Sequence, residues 1–176
     1  MSYSIRTLTP TDAAVYRAVR LEALQNHPES FGATYDNAVR RPDKDWADTL
    51  SALTMFGAFD ADGEMVGLVG FMPSTGDKDR HRGWLIQMYV QPQMRGTGCA
   101  LALVQTVLAH AQGKVLQVHL GVWDENPVAI RFYQKAGFTI YASDPRAYHL
   151  DGRFYGDHLM VRYLDEAPGK TDHDRD

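Results

Sequence analysis

Hydrophobic and polar positions change periodicity several times along this chain, and the changes outline alternating strands and helices. Short runs rich in apolar and aromatic residues predict strands at residues 3–8, 55–59, 65–72, 84–90, 115–123, 138–141 and 154–164. Apolar residues that recur at helical spacing predict helices over residues 10–25, 46–53, 101–112 and 126–136. This order of elements predicts a single mixed α/β domain.

Turn and capping residues mark several boundaries between these elements. Thr9–Pro10 and Asn126–Pro127 each pair a capping side chain with a proline that suits the first turn of a helix. Asp62–Gly63 predicts a tight hairpin turn, and Gly113 stands where a helix is expected to end. These signals place helix and hairpin ends independently of the hydrophobic pattern.

Composition is that of an ordinary globular protein, with 44% hydrophobic and 23% charged residues among 176. No run reaches the about 18 apolar residues of a membrane span, and the first residues lack the apolar core of a signal peptide. A single cysteine fits a reducing compartment, so we expect a cytoplasmic protein with no membrane partner. A net charge of −4 argues against a nucleic-acid partner. We expect residues 1–164 to form the domain and residues 165–176 to form a charged tail.

The stretch 93–100 is the most informative in the chain, because it follows a predicted strand and opens a predicted helix. Gly96 and Gly98 allow a tight turn and a close approach of the backbone to a ligand. The first turn of the helix offers unpaired N–H groups at the positive end of its dipole, and Arg95 adds a positive charge. The stretch therefore predicts a cradle for a phosphate group.

Other glycine-rich phosphate sites do not match this stretch. A P-loop requires Lys and then Ser or Thr after its last glycine, whereas Gly98 is followed by Cys99 and Ala100. A dinucleotide fold requires a third glycine where Leu101 stands. Cys99 has no histidine partner in the sequence pattern and is interpreted as a small buried residue. The histidines show no clustered spacing, so no metal is expected.

A second informative run covers Asn126–Phe138. Asn126 and Tyr133 lie about two helical turns apart, with Ala129 between them as a small residue that permits close approach. One elongated ligand is therefore able to touch the amide and the phenol. The alternative is that Asn126 only caps the helix and Tyr133 only packs, and the helix alone leaves both interpretations open.

Together these runs resemble the GNAT superfamily of acyl-CoA-dependent N-acetyltransferases, as found in small bacterial acetyltransferases. The resemblance covers the order of elements over residues 5–164 and is most specific over 84–138. It is carried by the two motifs of the family, which are matched by Arg95-Gly96-Thr97-Gly98-Cys99-Ala100, with an overlapping start at Gln93, and by Asn126, Ala129, Phe132–Tyr133 and Gly137–Phe138. It implies the GNAT fold, a mixed α/β fold whose central, mostly antiparallel sheet has a splayed pair of strands and is flanked by helices.

The resemblance also implies an activity and a set of roles. The activity is direct transfer of an acetyl group from acetyl-CoA to a primary amine of a small molecule or peptide, with no metal. Met88 and Tyr133 are the implied catalytic residues, as oxyanion donor through its backbone and as general acid. The implied acetyl-CoA contacts are Met88, Val90, Arg95, Gly96, Thr97, Gly98, Cys99, Ala100, Asn126, Ala129 and Tyr133.

Two questions stay open at this point. A non-catalytic acyl-CoA-binding sensor would carry the same cradle, and because family members are often dimers a homodimer is among the expected assemblies. No general base is chosen from the candidates Glu22, Glu29, His81, His119, Asp124 and Glu125. The candidate pocket aromatics, each at least as well explained as core, are Phe31, Tyr35, Trp84, Tyr148 and Tyr155.

Overall fold

A computed structural model describes residues 2–165 of the chain. The strands in this part are β1 (Tyr3–Thr7), β2 (Thr54–Asp60), β3 (Met65–Pro73), β4 (Arg82–Val90), β5 (Gln117–Trp123), β6 (Thr139–Leu150) and β7 (Arg153–Tyr163). The helices are α1 (Ala13–Asn26), α2 (Tyr35–Val39), α3 (Asp43–Ala52), α4 (Cys99–Ala111) and α5 (Pro127–Lys135). The tail predicted at 165–176 lies, beyond its first residue, outside the described residues and stays a prediction.

The strands form one sheet in the order β1-β2-β3-β4-β5-β7-β6. All neighbours are antiparallel except β4 and β5, which are parallel. The predicted mixed α/β fold, with a mostly antiparallel sheet flanked by helices, is confirmed. Among the helices of residues 2–165, none is long and apolar enough to cross a membrane.

Two elements differ from the sequence prediction. The helix α2 was not predicted, since its five residues are too few for a helical repeat to be recognised. Strand β6 continues to Leu150 instead of ending near residue 141. Most of its residues are exposed, so its pairing with β7 holds it in place. The two strands are joined by a turn at Asp151 and Gly152, which both have a positive φ.

Alternating side chains divide the core between the two faces of the sheet. On one face, which we call the α4 face, α4 and α5 pack against strand residues such as Phe56, Leu120 and Val122. On the other, the α1 face, α1 to α3 pack against residues such as Met55 and Leu68. Neighbouring positions along a strand point to opposite faces, so Phe56 and Met55 belong to different clusters.

Strands β4 and β5 part soon after they meet. They pair only where Arg82–Trp84 lie beside Gln117–His119. Further along β4, Gln87 adopts a φ of +56°, and the register with β3 shifts at this point. Such a bulge bends a strand and increases its twist. Within residues 2–165, the facing edges of β4 beyond Trp84 and of β5 beyond His119 have no strand partner, which leaves an opening in the sheet.

Helix α1 is tied to β4 at and beyond the bulge. The Tyr16 hydroxyl donates to Oε1 of Gln87 over 2.8 Å. One turn and a half further along α1, the Glu22 carboxylate accepts from the Tyr89 hydroxyl at 2.8 Å and from Nε2 of Gln91 at 2.6 Å. The α1 helix therefore fixes the strand edge that borders the opening.

Replacing Tyr16 with Phe removes the hydroxyl that donates to Gln87 and leaves the side-chain Oε1 of Gln87 without this partner. We expect the free energy of unfolding, measured by urea titration, to fall by about 1–2 kcal/mol. Tyr35→Phe is the control, because the Tyr35 hydroxyl makes no hydrogen bond within residues 2–165. An equal loss in both variants would contradict a specific role for the Tyr16 hydroxyl.

Candidate functional site

Two glycines form the cradle between β4 and α4. Gly96 has a φ of +78°, and Gly98, the cap residue of α4, has a φ of +88°. A Cβ added at Gly96 would meet no atom within 4 Å, and one at Gly98 would meet only the Tyr3 hydroxyl, at 3.6 Å. Since packing does not exclude larger residues here, left-handed backbone geometry and open space explain the glycines.

The N–H groups of this cradle are largely free. Within residues 2–165, those of Gly96, Gly98 and Ala100 have no acceptor in the protein, while those of Thr97 and Cys99 make only long bonds of 3.4 Å. Free N–H groups at the start of a 13-residue helix suit an anion such as phosphate. The cradle predicted from the sequence therefore has the geometry that its ligand would require.

Two other cradle residues differ in what they offer. The exposed Arg95 side chain turns toward the end of α1, where Nη2 lies 3.1 Å from Nε2 of His27. Cys99 is fully buried, and burial raises the pKa of its thiol. A thiolate nucleophile is thereby disfavoured, in agreement with the interpretation of Cys99 as a packing residue.

Met88 and Val90 lie on the edge of β4 that has lost its partner. Met88 directly follows the bulge at Gln87 and is half-buried, and Val90 is buried just before the cradle. Backbone groups on such an unpaired edge are available to a ligand that takes the place of a strand. The structure therefore brings the predicted strand residues and the predicted cradle next to one another.

Helix α5 follows β5 directly and packs on the α4 face of the sheet. Asn126 caps it, accepting at Oδ1 from the Ala129 N–H over 3.0 Å. Its side-chain NH₂ donates to no residue among 2–165. The capping interpretation of Asn126 is therefore correct for the oxygen, while the nitrogen stays available to a ligand.

Tyr133 is the buried residue of α5. Its ring packs edge-on against Phe132 and Phe138, with centroids 5.1 and 6.0 Å away. Burial raises the pKa of its hydroxyl, which makes no hydrogen bond within residues 2–165. The phenol is therefore protonated at neutral pH, and its hydroxyl has no acceptor among these residues.

Asp157 on β7 lies at the α1 face of the opening. One of its carboxylate oxygens occupies the space beside Gly121, where a Cβ would come within 2.6 Å of it. Gly121 belongs to the unpaired part of β5 and points away from the α4 face, since its neighbours Leu120 and Val122 pack there. The Tyr148 hydroxyl of β6 lies 3.5 Å from the same oxygen.

Asp157 is also electrostatically unusual. Burial, with the nearby carboxylates of Asp124 and Asp144 as smaller contributions, raises its pKa to about 6. The residue is only 8% exposed. A carboxyl group that titrates near neutrality beside an opening is suited to binding a cation or accepting a proton.

The three glutamates among the candidate bases are engaged in other interactions. Glu22 accepts two hydrogen bonds from β4 and its neighbouring loop, as described above. Glu29 lies near His27 and Ser30, and Glu125 forms an exposed ion pair with Arg153 at 2.7 Å. Each therefore has a structural explanation.

The other three candidate bases, His119, His81 and Asp124, also have structural partners or lie at the paired end of β4 and β5. His119 is buried where β4 and β5 still pair, between hydrogen bonds to Gln117 and Tyr141. His81 lies before the start of β4, at the paired end of the two strands. The Asp124 carboxylate packs against Gly156 and contributes to the field around Asp157.

Sequence analysis missed the features that are most informative on the α1 face. Asp157 shares strand register with Leu159 and Val161, so a charge in an apolar pattern was a signal that could have been read. The bulge at Gln87 has no sequence signal, because glutamine does not favour positive φ. Of the five candidate aromatics, Phe31, Tyr148 and Tyr155 lie near this face of the opening, and Tyr155 packs against Trp123 of β5, the strand partner of Asp157. The other two, Tyr35 and Trp84, pack elsewhere.

A surface cavity of about 440 Å³ lies between α4 and the end of α5. It is lined in part by Leu101, Gln105, Lys135 and Arg162.

Among the described residues no group of three or more His, Cys, Asp or Glu side chains is arranged to hold a metal ion.

Comparison with known proteins gives a consistent family. Residues 17–138 match the model of a family described as the acetyltransferase (GNAT) family. A mycothiol acetyltransferase of Thermobispora bispora is 31% identical over 144 residues, which cover 80% of this chain and 48% of that protein. This chain thus spans about half the length of the curated relative that it matches.

Solved structures share the fold. The acetyltransferase of the GNAT family from Streptococcus pneumoniae superposes with a TM-score of 0.82 at 23% identity, covering 93% of this chain and all of that one. A Salmonella typhimurium protein described as a candidate acetyltransferase, and solved with its cofactor acetyl-CoA, gives 0.76 at 21% identity, covering 95% and 96%.

The raised pKa of Asp157 predicts a pH-dependent stability difference. The folded protein binds this proton more tightly than the unfolded chain, so ionisation of Asp157 lowers stability as the pH rises from about 4 through about 6. Asp157→Asn removes this effect. We expect its melting temperature to equal that of the native protein near pH 4 and to exceed it above pH 7.

The control for this comparison is Asp62→Asn in the exposed β2–β3 turn, which should shift the melting temperature little at any pH. A difference between native protein and Asp157→Asn that stays constant from pH 4 to pH 8 would contradict the burial of a titrating carboxyl group.

Proposed function

This chain belongs to the acetyltransferase (GNAT) family, and we propose from that premise that it transfers an acetyl group from acetyl-CoA to a primary amine of a small molecule or peptide. The observation that carries the proposal is the cradle of free N–H groups, which follows one of two parted strands on the face of the sheet where the buried Tyr133 also packs. A cytoplasmic location and an acceptor other than nucleic acid fit the composition.

The α4 face supplies the groups that acetyl-CoA would need. Free N–H groups of the cradle suit the pyrophosphate, while Thr97, Cys99 and Arg95 complete the loop that presents them. The unpaired backbone of Met88 and Val90 suits the amide-bearing pantetheine arm. The Asn126 NH₂ is free to join it, and Ala129 keeps the helix surface low beside it.

The chemistry divides between the backbone and one phenol. Acetyl-CoA supplies an activated acetyl group as a thioester. The N–H of Met88, held in place by the bulge, stabilises negative charge that develops on the carbonyl oxygen. Tyr133, whose phenol is protonated at neutral pH, donates its proton to the departing thiolate.

Asp157 binds the acceptor amine and accepts a proton from it. Above pH 6 its carboxylate is ionised, so it attracts an ammonium group to the α1 face of the opening. One ammonium proton first passes to Asp157, directly or through water, which frees the nitrogen lone pair that attacks the thioester carbonyl. The attack makes a second N–H proton acidic, and this proton restores the Tyr133 hydroxyl through water after the thiolate has departed as the thiol. Both substrates are then held on opposite faces of one opening, so proximity supplies much of the rate and no covalent enzyme intermediate is required.

Two glycine substitutions, one at each end of α4, test the role of the cradle. Gly98→Val and Gly113→Val both place a β-branched residue at a positive φ, at the two ends of α4, and should cost similar stability. We expect CoA affinity, measured by calorimetry, to fall at least about tenfold in Gly98→Val only. Equal affinities in the two variants would mean that the cradle does not bind the cofactor.

The catalytic assignment is tested by Tyr133→Phe. With acetyl-CoA and a panel of amines, release of free thiol should fall at least about 100-fold because the general acid is lost. Calorimetry should find CoA affinity within about threefold of the native value. Tyr163→Phe, in an exposed residue of β7, is the control and should behave as native.

The same assay separates the enzyme from a sensor. Unchanged turnover in Tyr133→Phe would contradict the role of the phenol. Tight CoA binding with no thiol release on any amine would contradict the enzymatic proposal and favour a non-catalytic acyl-CoA sensor.

A further inference from the structure

Arg20 on α1 carries a buried charge that nothing in the described protein neutralises. The residue is 7% exposed, and its guanidinium makes no ion pair or hydrogen bond within residues 2–165. Its Nη1 is fully buried without a partner. Its close packing partner is the Phe31 ring, whose centroid lies 4.4 Å from the guanidinium carbon.

Other arginines on this side of the molecule have polar partners that Arg20 lacks, although the Nε of Arg17 is also buried without a hydrogen bond and has only the Asp43 carboxylate at 4.0 Å. Arg41 also lies over an aromatic ring, at 4.5 Å from Trp46, but it donates to the Asp45 carbonyl and the Thr49 hydroxyl. Arg17 donates to the Val39 carbonyl. The arrangement at Arg20 is therefore not a general property of the α1 face.

An unpaired buried cation lowers stability unless a ligand provides the missing anion. Burial lowers the pKa of Arg20 to about 10, so the group is still charged at neutral pH. Removing a cation from water without a counter-ion is strongly unfavourable. A planar guanidinium in this state is suited to donating two parallel hydrogen bonds to a carboxylate.

Arg20 is connected to the opening between β4 and β5 through its neighbours on both sides. Its neighbour one turn earlier on α1 is Tyr16, which bonds to Gln87 at the bulge. On its other side, Phe31 leads directly to Gly32, where a Cβ would lie 3.2 Å from the Tyr148 ring. Tyr148 in turn adjoins Asp157. A continuous set of contacts thus links the buried cation to the carboxylate on the same face.

We infer that the acceptor carries a carboxylate that binds Arg20, so that it is an amine of the amino-acid or peptide class. This inference rests on the proposed function. The acceptor's ammonium group faces Asp157 and its carboxylate faces Arg20, which fixes the direction in which the molecule enters. Neutral amines and polyamines lack the group that would satisfy the guanidinium.

The first test observes Arg20 directly and needs no turnover. In the CoA-saturated protein, the ¹H–¹⁵N signal of the Arg20 side chain is assigned by its loss in Arg20→Lys. N-acetylated glycine, leucine, phenylalanine and aspartate, and their C-terminal amides, are then titrated as product-like probes. At least one acid should shift the signal while its amide does not, and no shift with any acid would overturn the inference.

The second test compares acids with their amides as acceptors. In the native protein, kcat/KM for the best amino acid or dipeptide should exceed that for its amide on the order of 10- to 100-fold, because a charged hydrogen-bonded pair is lost. Arg20→Met should bring this ratio close to one, mainly through KM, and Arg20→Lys should restore part of it. Arg41→Met, which removes a neighbouring but already satisfied cation, should keep the ratio.

The outcomes distinguish the two proposals. Turnover of amines with equal rates for acids and amides, or a ratio that persists in Arg20→Met, overturns the role of Arg20 and leaves the acetyltransferase proposal standing. If no amine is acetylated, the proposed function fails, and the titration of the Arg20 signal still decides whether this face binds a carboxylate.

Discussion

Strands β4 and β5 pair through three residues each and then separate, and the site depends on that separation. A continuous parallel pair would use the backbone groups of Met88 and Val90 in a ladder. The bulge at Gln87 turns β4 away, and the Tyr16 hydroxyl holds the bulged residue from α1. Unpaired strand edges cost free energy, and the amide groups of a ligand are able to offset this cost by replacing the missing strand.

The opening joins two faces with different chemistry. The α4 face offers neutral donors, namely the free N–H groups of the cradle and the protonated phenol of Tyr133. The α1 face holds two buried charges, Asp157 and Arg20. Burial raises the pKa of Asp157 and lowers the pKa of Arg20, and each shift favours the neutral form of the group. Neither charge favours folding on its own, so their position beside the opening is better explained by a substrate than by stability.

Sequence reasoning succeeded where a feature depends on neighbouring residues. The left-handed glycines of the cradle and the Asn126 cap follow from local backbone requirements, and the structure has both. It failed where a feature depends on distant contacts. The exposed strand β6 is defined by its partner β7, and Asp157 and Arg20 become unusual only through burial that the folded chain creates.

On the proposed function, CoA lies along the parted strands with its pyrophosphate in the cradle. Backbone amide exchange, measured by NMR with and without saturating CoA, tests this placement. The amides of Gly96, Gly98, Ala100 and Met88 should shift and exchange more slowly when CoA is bound, while that of Gly113 at the far end of α4 should not change. Bound CoA that leaves these four amides unprotected would contradict the account.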